Sequence, residues 1–217
     1  MINNTLTIQK SGTHEIIIKK SRFVTTVSRI KNEQEAKKII AEITDKNPKA
    51  NHNCFAYVLG DHNDIQRESD NGEPSGTAGV PILEVLKNMN LRNVLVVVTR
   101  YFGGIKLGAG GLIRAYSNSA SKAIEAMGVV KQTLKRAITI EVNYNQYDKL
   151  EYFLKQKKIP VEKPIYGEKI QIKIAVADDN LEEVMTSVNN LLAEKVNYKK
   201  GQQEIFEEPY QIQNKRH

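Results

Sequence analysis

Two hydrophobic periods divide the first part of the chain. Apolar residues recur at nearly every second position over residues 5–10 and 14–19, which predicts two strands joined by a Ser11-Gly12 hairpin turn. Residues 22–30 continue as a third extended run. The period then lengthens to that of a helix over residues 32–45, where Ala36, Ile39, Ile40 and Ile43 share a face. Asn32 stands as its cap, Glu33 and Glu35 lie in its first turn, and Asn47-Pro48 ends it. Residues 54–59 read as a compact apolar strand. The pattern disappears over residues 60–81, where Asn71-Gly72 and Ser75-Gly76 are tight-turn pairs, so a long loop of the functional kind is expected. A short helix over 82–89 leads to the β-branched run 94–99, followed by a glycine-rich loop and a small-residue helix from Leu112 to about Met127.

The pattern is more regular beyond Arg136. A strand at 137–142 precedes a helix at 146–157 with Tyr147, Leu150 and Leu154 on one face. Residues 161–166 and 169–176 flank Gly167 as a hairpin, and Pro164 marks the first of these as an edge strand. A helix over 180–192, built on Leu181, Val184, Val188 and Leu191, and a strand over 197–206 complete the set. The order β-α-β-β-α-β is the ferredoxin-like arrangement. The expected fold is therefore α+β in two domains, residues 1–132 and 133–207, with 208–217 as a tail.

Composition narrows the class. Of 217 residues, 40% are hydrophobic and 26% charged, which suits a globular protein, and no apolar run approaches the roughly 20 residues of a membrane helix. The first residues hold no apolar signal-peptide core, and Cys54 is the single cysteine, so no internal disulfide forms and a cytoplasmic location is expected. Charge is uneven. From Arg92 to Arg136 eight basic residues face one acid, Glu125, an excess equal to the formal net charge of +7 for the whole chain. Residues 60–81 are instead acidic, with Asp61, Asp64, Glu68, Asp70 and Glu73 against Arg67. A basic excess gathered in one segment favours an anionic partner.

The candidate site lies in that basic segment. Gly103, Gly104, Gly108, Gly110 and Gly111 fall within nine residues, between a buried strand and a helix start. Bare backbone N–H groups and the positive end of a helix dipole then meet where an anion would sit. Arg100, Lys106 and Arg114 are placed to contact phosphates, and Tyr101 to stack on a base; Phe102 reads as core. Two nucleotide templates fail. Gly103 and Gly108 have P-loop spacing, but Ala109 replaces the lysine; Gly108 and Gly110 begin a dinucleotide fingerprint, but Ile113 replaces its last glycine. The acidic turn with Asp70 and Glu73 has three readings: an ordering partner for Arg100 or Lys106, a metal site, or a self-capped turn. His52 and Cys54 share a strand face, which permits a Cys-His nucleophile pair but fits a buried hydrophobe better. His62 with Asp61 and Asp64 reads as a solvated loop.

Two long stretches then carry a resemblance. SDNGEPSGTAGVPIL at residues 69–83 and TRYFGGIKLGAGGLIRAY at 99–116, with NHNCFAYVLG at 51–60, resemble the signature of the YigZ/IMPACT family. The resemblance implies an N-terminal domain similar to the βα fold of GHMP kinases and of domain IV of elongation factor G. It implies a ferredoxin-like second domain similar to domain V of that factor. Eukaryotic relatives regulate translation through a stress-kinase pathway, with an additional N-terminal domain that this sequence does not carry. The family pattern has two acids before Gly72 where this chain has Asp70-Asn71, so a metal site needing both carboxylates is not implied. The favoured expectation is a cytoplasmic, non-catalytic module that engages RNA or the ribosome, without cofactor or metal. An enzyme acting on a phosphorylated or nucleotide substrate at the same loop, and a protein-interaction regulator without nucleic acid, stand as alternatives.

Overall fold

A computed structural model describes residues 3–60 and 62–211. The elements in chain order are β1 (Asn3–Ile8), β2 (Gly12–Ile18), β3 (Ser21–Arg29), α1 (Glu33–Lys46), β4 (His52–Leu59), β5 (Ile65–Ser69), α2 (Gly79–Asn88), β6 (Val94–Tyr101), α3 (Ala109–Met127), β7 (Val129–Val142), α4 (Tyr144–Gln156), β8 (Ile165–Tyr166), β9 (Ile170–Val176), α5 (Leu181–Leu192) and β10 (Tyr198–Pro209). The described residues form two compact units, one of residues 3–132 with 207–211, the other of 133–206. The fold is α+β, as the hydrophobic periods predict.

In the first unit five strands make one antiparallel sheet in the order β2-β3-β6-β4-β5. β6 is central and buried on both faces, which explains its unbroken β-branched run. Val94, Val96 and Val98 pack with Phe23, Cys54 and Ala56 against α2 and α3. Leu95 and Val97 turn to the other face, with Tyr57, Leu59 and Ala36 of α1. Helix α1 is capped as its sequence requires, Asn32 Oδ1 accepting the Glu35 N–H at 2.8 Å.

The second unit has its strands in the order β10-β7-β9-β8, with β7–β9 and β8–β9 antiparallel. Ile138, Ile140, Ile172 and Ile174 form its core with Leu150 and Leu154 of α4 and Val188 of α5. This is the ferredoxin-like strand order. β8 is reduced to Ile165–Tyr166 at the sheet edge, and Val161 makes only an isolated bridge to Ile174, because Pro164 lacks the N–H that would continue the ladder.

Three expectations change. The Ser11-Gly12 hairpin does not form: β1 pairs with β7, and Gly12 already lies within β2, opposite Val27. A Cβ on Gly12 would meet Met127 Sδ at 2.5 Å, so this glycine serves packing rather than a turn. The hairpin turn is instead Lys19-Lys20, between β2 and β3, with φ of 45° and 65° at two side chains that rarely adopt it. Residues 60–81 contain β5, an edge strand whose charged side chains hide it from a hydrophobic reading. Finally, β10 continues to Pro209, and beyond it the Tyr210 N–H donates to the Val129 carbonyl at 2.8 Å, so the start of the expected tail is ordered. Residues 212–217 and Asp61, which belonged to the His62 grouping, lie outside the described residues.

Candidate functional site

Sheet register builds the floor of the site. Phe23, Arg100 and His52 are neighbours in one row across β3, β6 and β4. Paired positions share a face, so all three point toward the side covered by α3. Arg100 is 5% exposed, and its guanidinium lies 5.4 Å from the Phe23 ring centroid and 5.6 Å from that of Phe102. Its charge is met by Glu73, itself 9% exposed, with Nη1 donating to Oε1 at 2.5 Å. The Tyr116 hydroxyl of α3 donates to the same Oε1 at 2.8 Å. A buried cation of this kind persists only with such a partner. Arg100 Nε has no partner among the described residues.

Asp70 and Glu73 serve different ends. Asp70 Oδ1 accepts the N–H groups of Ala78 and Gly79 at 2.9 and 2.8 Å, and Oδ2 accepts that of Gly76 at 2.8 Å. It caps α2 from nine residues upstream, so the helix begins at Gly79 rather than near Ile82. Burial pushes its carboxyl up, but the three N–H donors outweigh this and hold it below the usual carboxylate range. Asp70 thus serves the backbone of the turn, while Glu73 serves Arg100 and Tyr116.

His52 Nδ1 lies 2.9 Å from the Asn71 carbonyl, which only accepts, so in the neutral ring Nδ1 carries the hydrogen. Nε2 is then a bare acceptor 3.9 Å from Glu73 Oε2. Cys54 does not join it. The thiol is fully buried one row below, 2.9 Å from the Asp70 carbonyl and 3.3 Å from the Tyr116 hydroxyl. Burial pushes it up to about 12, which removes the Cys-His nucleophile reading. Thiol reagents at pH 8 are expected to modify native Cys54 about three orders of magnitude more slowly than the urea-unfolded chain. Comparable rates in the two states would show the thiol to be open.

The glycine loop closes the site from above. Gly103 crosses the Lys19-Lys20 turn so closely that a Cβ would lie 2.0 Å from the Lys20 carbonyl. Gly108, at φ 69°, sets the start of α3; no side chain caps this helix and no acid stands in its first turn. Around it lies a cleft of about 460 Å³, lined in part by His52, Glu73, Phe102, Lys106, Leu107 and Gly108. Lys106 is exposed at its edge. Arg114 lines a separate hollow with Lys19, but its Nη1 comes within 3.9 Å of where a Gly110 Cβ would stand, at the same helix start.

The sequence-derived residues therefore divide. Lys106, Gly108, Gly110, Gly111 and Arg114 gather at the start of α3, with Gly103 and Gly104 in the loop before it. Arg100 forms the floor, bound to Glu73. Tyr101 faces α1, its hydroxyl donating to Asn47 Oδ1 at 2.7 Å. Phe102, read as core, is 46% exposed at the cleft rim. The basic segment also disperses: Arg136 pairs with Asp178 in the second unit at 2.6 Å. Lys19, Lys20 and the cleft-facing role of His52 had no sequence signal except their place beside strand ends.

Known proteins share this organisation. Residues 19–124 match the Impact N-terminal domain, and residues 140–195 match a domain of unknown function, DUF1949. The IMPACT family member YvyE of Bacillus subtilis is 44% identical over 193 residues, 88% of this chain and 89% of that protein. The IMPACT family member YigZ of Escherichia coli is 37% identical over 141 residues, 64% of this chain and 69% of that one. A crystal structure of a hypothetical protein, 28% identical, superposes with a TM-score of 0.59 over 91% of this chain and 97% of its own. The identity and coverage extend through both units, and the chain belongs to the IMPACT family.

Proposed function

We propose that this protein is a non-catalytic module that binds single-stranded RNA, free or on the ribosome, through the start of α3, and thereby regulates translation in the cytoplasm. One observation carries the reading. A helix of 19 residues begins with no capping side chain and no acid in its first turn, yet has Lys106 and Arg114 beside it. Helix starts ordinarily attract Asp, Glu or a capping hydroxyl. Cations there repel the dipole, and a bound phosphate relieves both the repulsion and the unpaired amides. Lys19 and Lys20, held on the adjoining turn, extend the positive rim. Arg100 contributes through position, since Glu73 already neutralises it. The family resemblance supplies the connection to translation.

Four rim cations imply that log affinity for an RNA single strand falls with log salt at a slope of about −3. The double variant Lys106→Ala, Arg114→Ala is expected to reduce that slope by roughly 1 to 1.5 and to weaken binding at least tenfold near 0.1 M salt. Both side chains are exposed, so thermal stability should stay unchanged. Fluorescence anisotropy with a labelled oligonucleotide across a salt series measures this. An unaltered affinity and slope in the variant would refute the assignment.

A further inference from the structure

With the His52 ring neutral, the cleft presents two acceptors that lack a donor among the described residues. Glu73 is nine-tenths buried, and its Oε1 is engaged by Arg100 and Tyr116. Oε2 meets only His52 Nε2, at 3.9 Å, beyond hydrogen-bond distance. Nε2 is itself an acceptor in the neutral ring, because the Asn71 carbonyl fixes the hydrogen on Nδ1. Glu73 lines the cleft, and this second carboxylate oxygen is left as a charged acceptor available to a ligand there. Two adjacent acceptors are best satisfied by one nitrogen carrying at least two hydrogens.

The other walls indicate what carries that nitrogen. Phe102 is half-exposed at the rim, and Leu107 and Leu112 line the cleft, which gives a ring flat apolar surfaces. Lys106 and the first amides of α3 lie at the opening, a setting suited to a phosphate. A volume of about 460 Å³ is in the range of small-ligand sites. We infer that the cleft takes one unstacked nucleotide of the bound RNA, its base inserted with an exocyclic amino group on Glu73 Oε2 and His52 Nε2 and its phosphate at the start of α3. This rests on the RNA reading above and adds a base preference to it. Adenine and cytosine present the amino group; uracil presents a carbonyl oxygen to the same two acceptors and is disfavoured.

The test compares RNA hexamers at one salt concentration. Oligoadenosine is set against oligo(purine riboside), which has a hydrogen in place of each amino group and the same ring, and oligocytidine against oligouridine. The amino member of each pair is expected to bind on the order of tenfold tighter, the effect of a hydrogen bond to a charged acceptor. The Lys106→Ala, Arg114→Ala variant should weaken all four alike and keep both ratios. Glu73→Gln should erase the ratios; because that change also disturbs Arg100, the ligand-side comparison on the unaltered protein decides the matter. Four equal affinities would overturn the base preference and leave RNA binding intact. Failure to bind any hexamer would overturn the RNA reading, and the preference with it.

Discussion

Glu73→Ala is expected to destabilise the first unit by about 3–5 kcal/mol, the cost of leaving a buried charge without its partner. Arg100 is 5% exposed, lies against the Phe23 and Phe102 rings, and among the described residues pairs with the Glu73 carboxylate alone. Removing the carboxylate leaves the guanidinium and the Tyr116 hydroxyl without the acceptor they share. The loss is therefore mainly the uncompensated cation, not the absent contact. Two companion variants separate these terms. Tyr116→Phe removes one hydrogen bond to a charged oxygen and should cost about 1.5–3 kcal/mol. Glu73→Ala combined with Arg100→Met removes both charges and should recover part of the single-variant loss, because an apolar side chain of similar length suits the Phe23 row. Urea unfolding followed by far-ultraviolet circular dichroism gives the comparison. A loss below 1 kcal/mol for Glu73→Ala would mean that the pair is solvated and that the floor of the cleft is open.

How much of this arrangement was legible in the sequence depended on how far each interaction reaches. The apolar run of β6 and the Asn32-capped stripe of α1 are set by neighbours a few residues away, so periodicity and capping rules found them. The six-element order of the second unit was readable for the same reason. β5 escaped because an edge strand needs apolar residues on one face at most, and QRES is polar throughout. The role of Gly12 escaped because it concerns Met127, far away in the chain. Arg100 was seen as a cation beside glycines, and Glu73 as an acid in a turn. Their burial follows from register, which places Arg100 between Phe23 and His52. Tyr101 and Phe102 exchanged expected roles on the same ground: one residue along a strand reverses the face. Residue chemistry thus located the loop, while the division between floor and rim awaited three-dimensional pairing.

Asp70 sets the position of the acidic turn, and its removal is the second large effect. Asp70→Ala takes the acceptor from three N–H groups, those of Gly76, Ala78 and Gly79, and should cost about 3 kcal/mol at pH 7. The turn between Asp70 and α2 carries Glu73, so RNA affinity should fall together with stability. Asp70→Asn separates charge from shape. Its carbonyl oxygen still serves Ala78 and Gly79, while its NH2 opposes the Gly76 N–H, and an intermediate loss is expected. The dependence on pH follows from the lowered carboxyl. The folded value is depressed below the unfolded value of about 3.9, so the stabilisation is full above roughly pH 5 and disappears as pH falls through 3.9 toward the folded value. Wild type should therefore lose stability faster than Asp70→Asn between pH 5 and pH 3, and their urea midpoints should converge. A constant gap between the two midpoints across that interval would mean that the carboxylate charge plays no part in starting α2, leaving the turn that presents Glu73 to be held by shape alone.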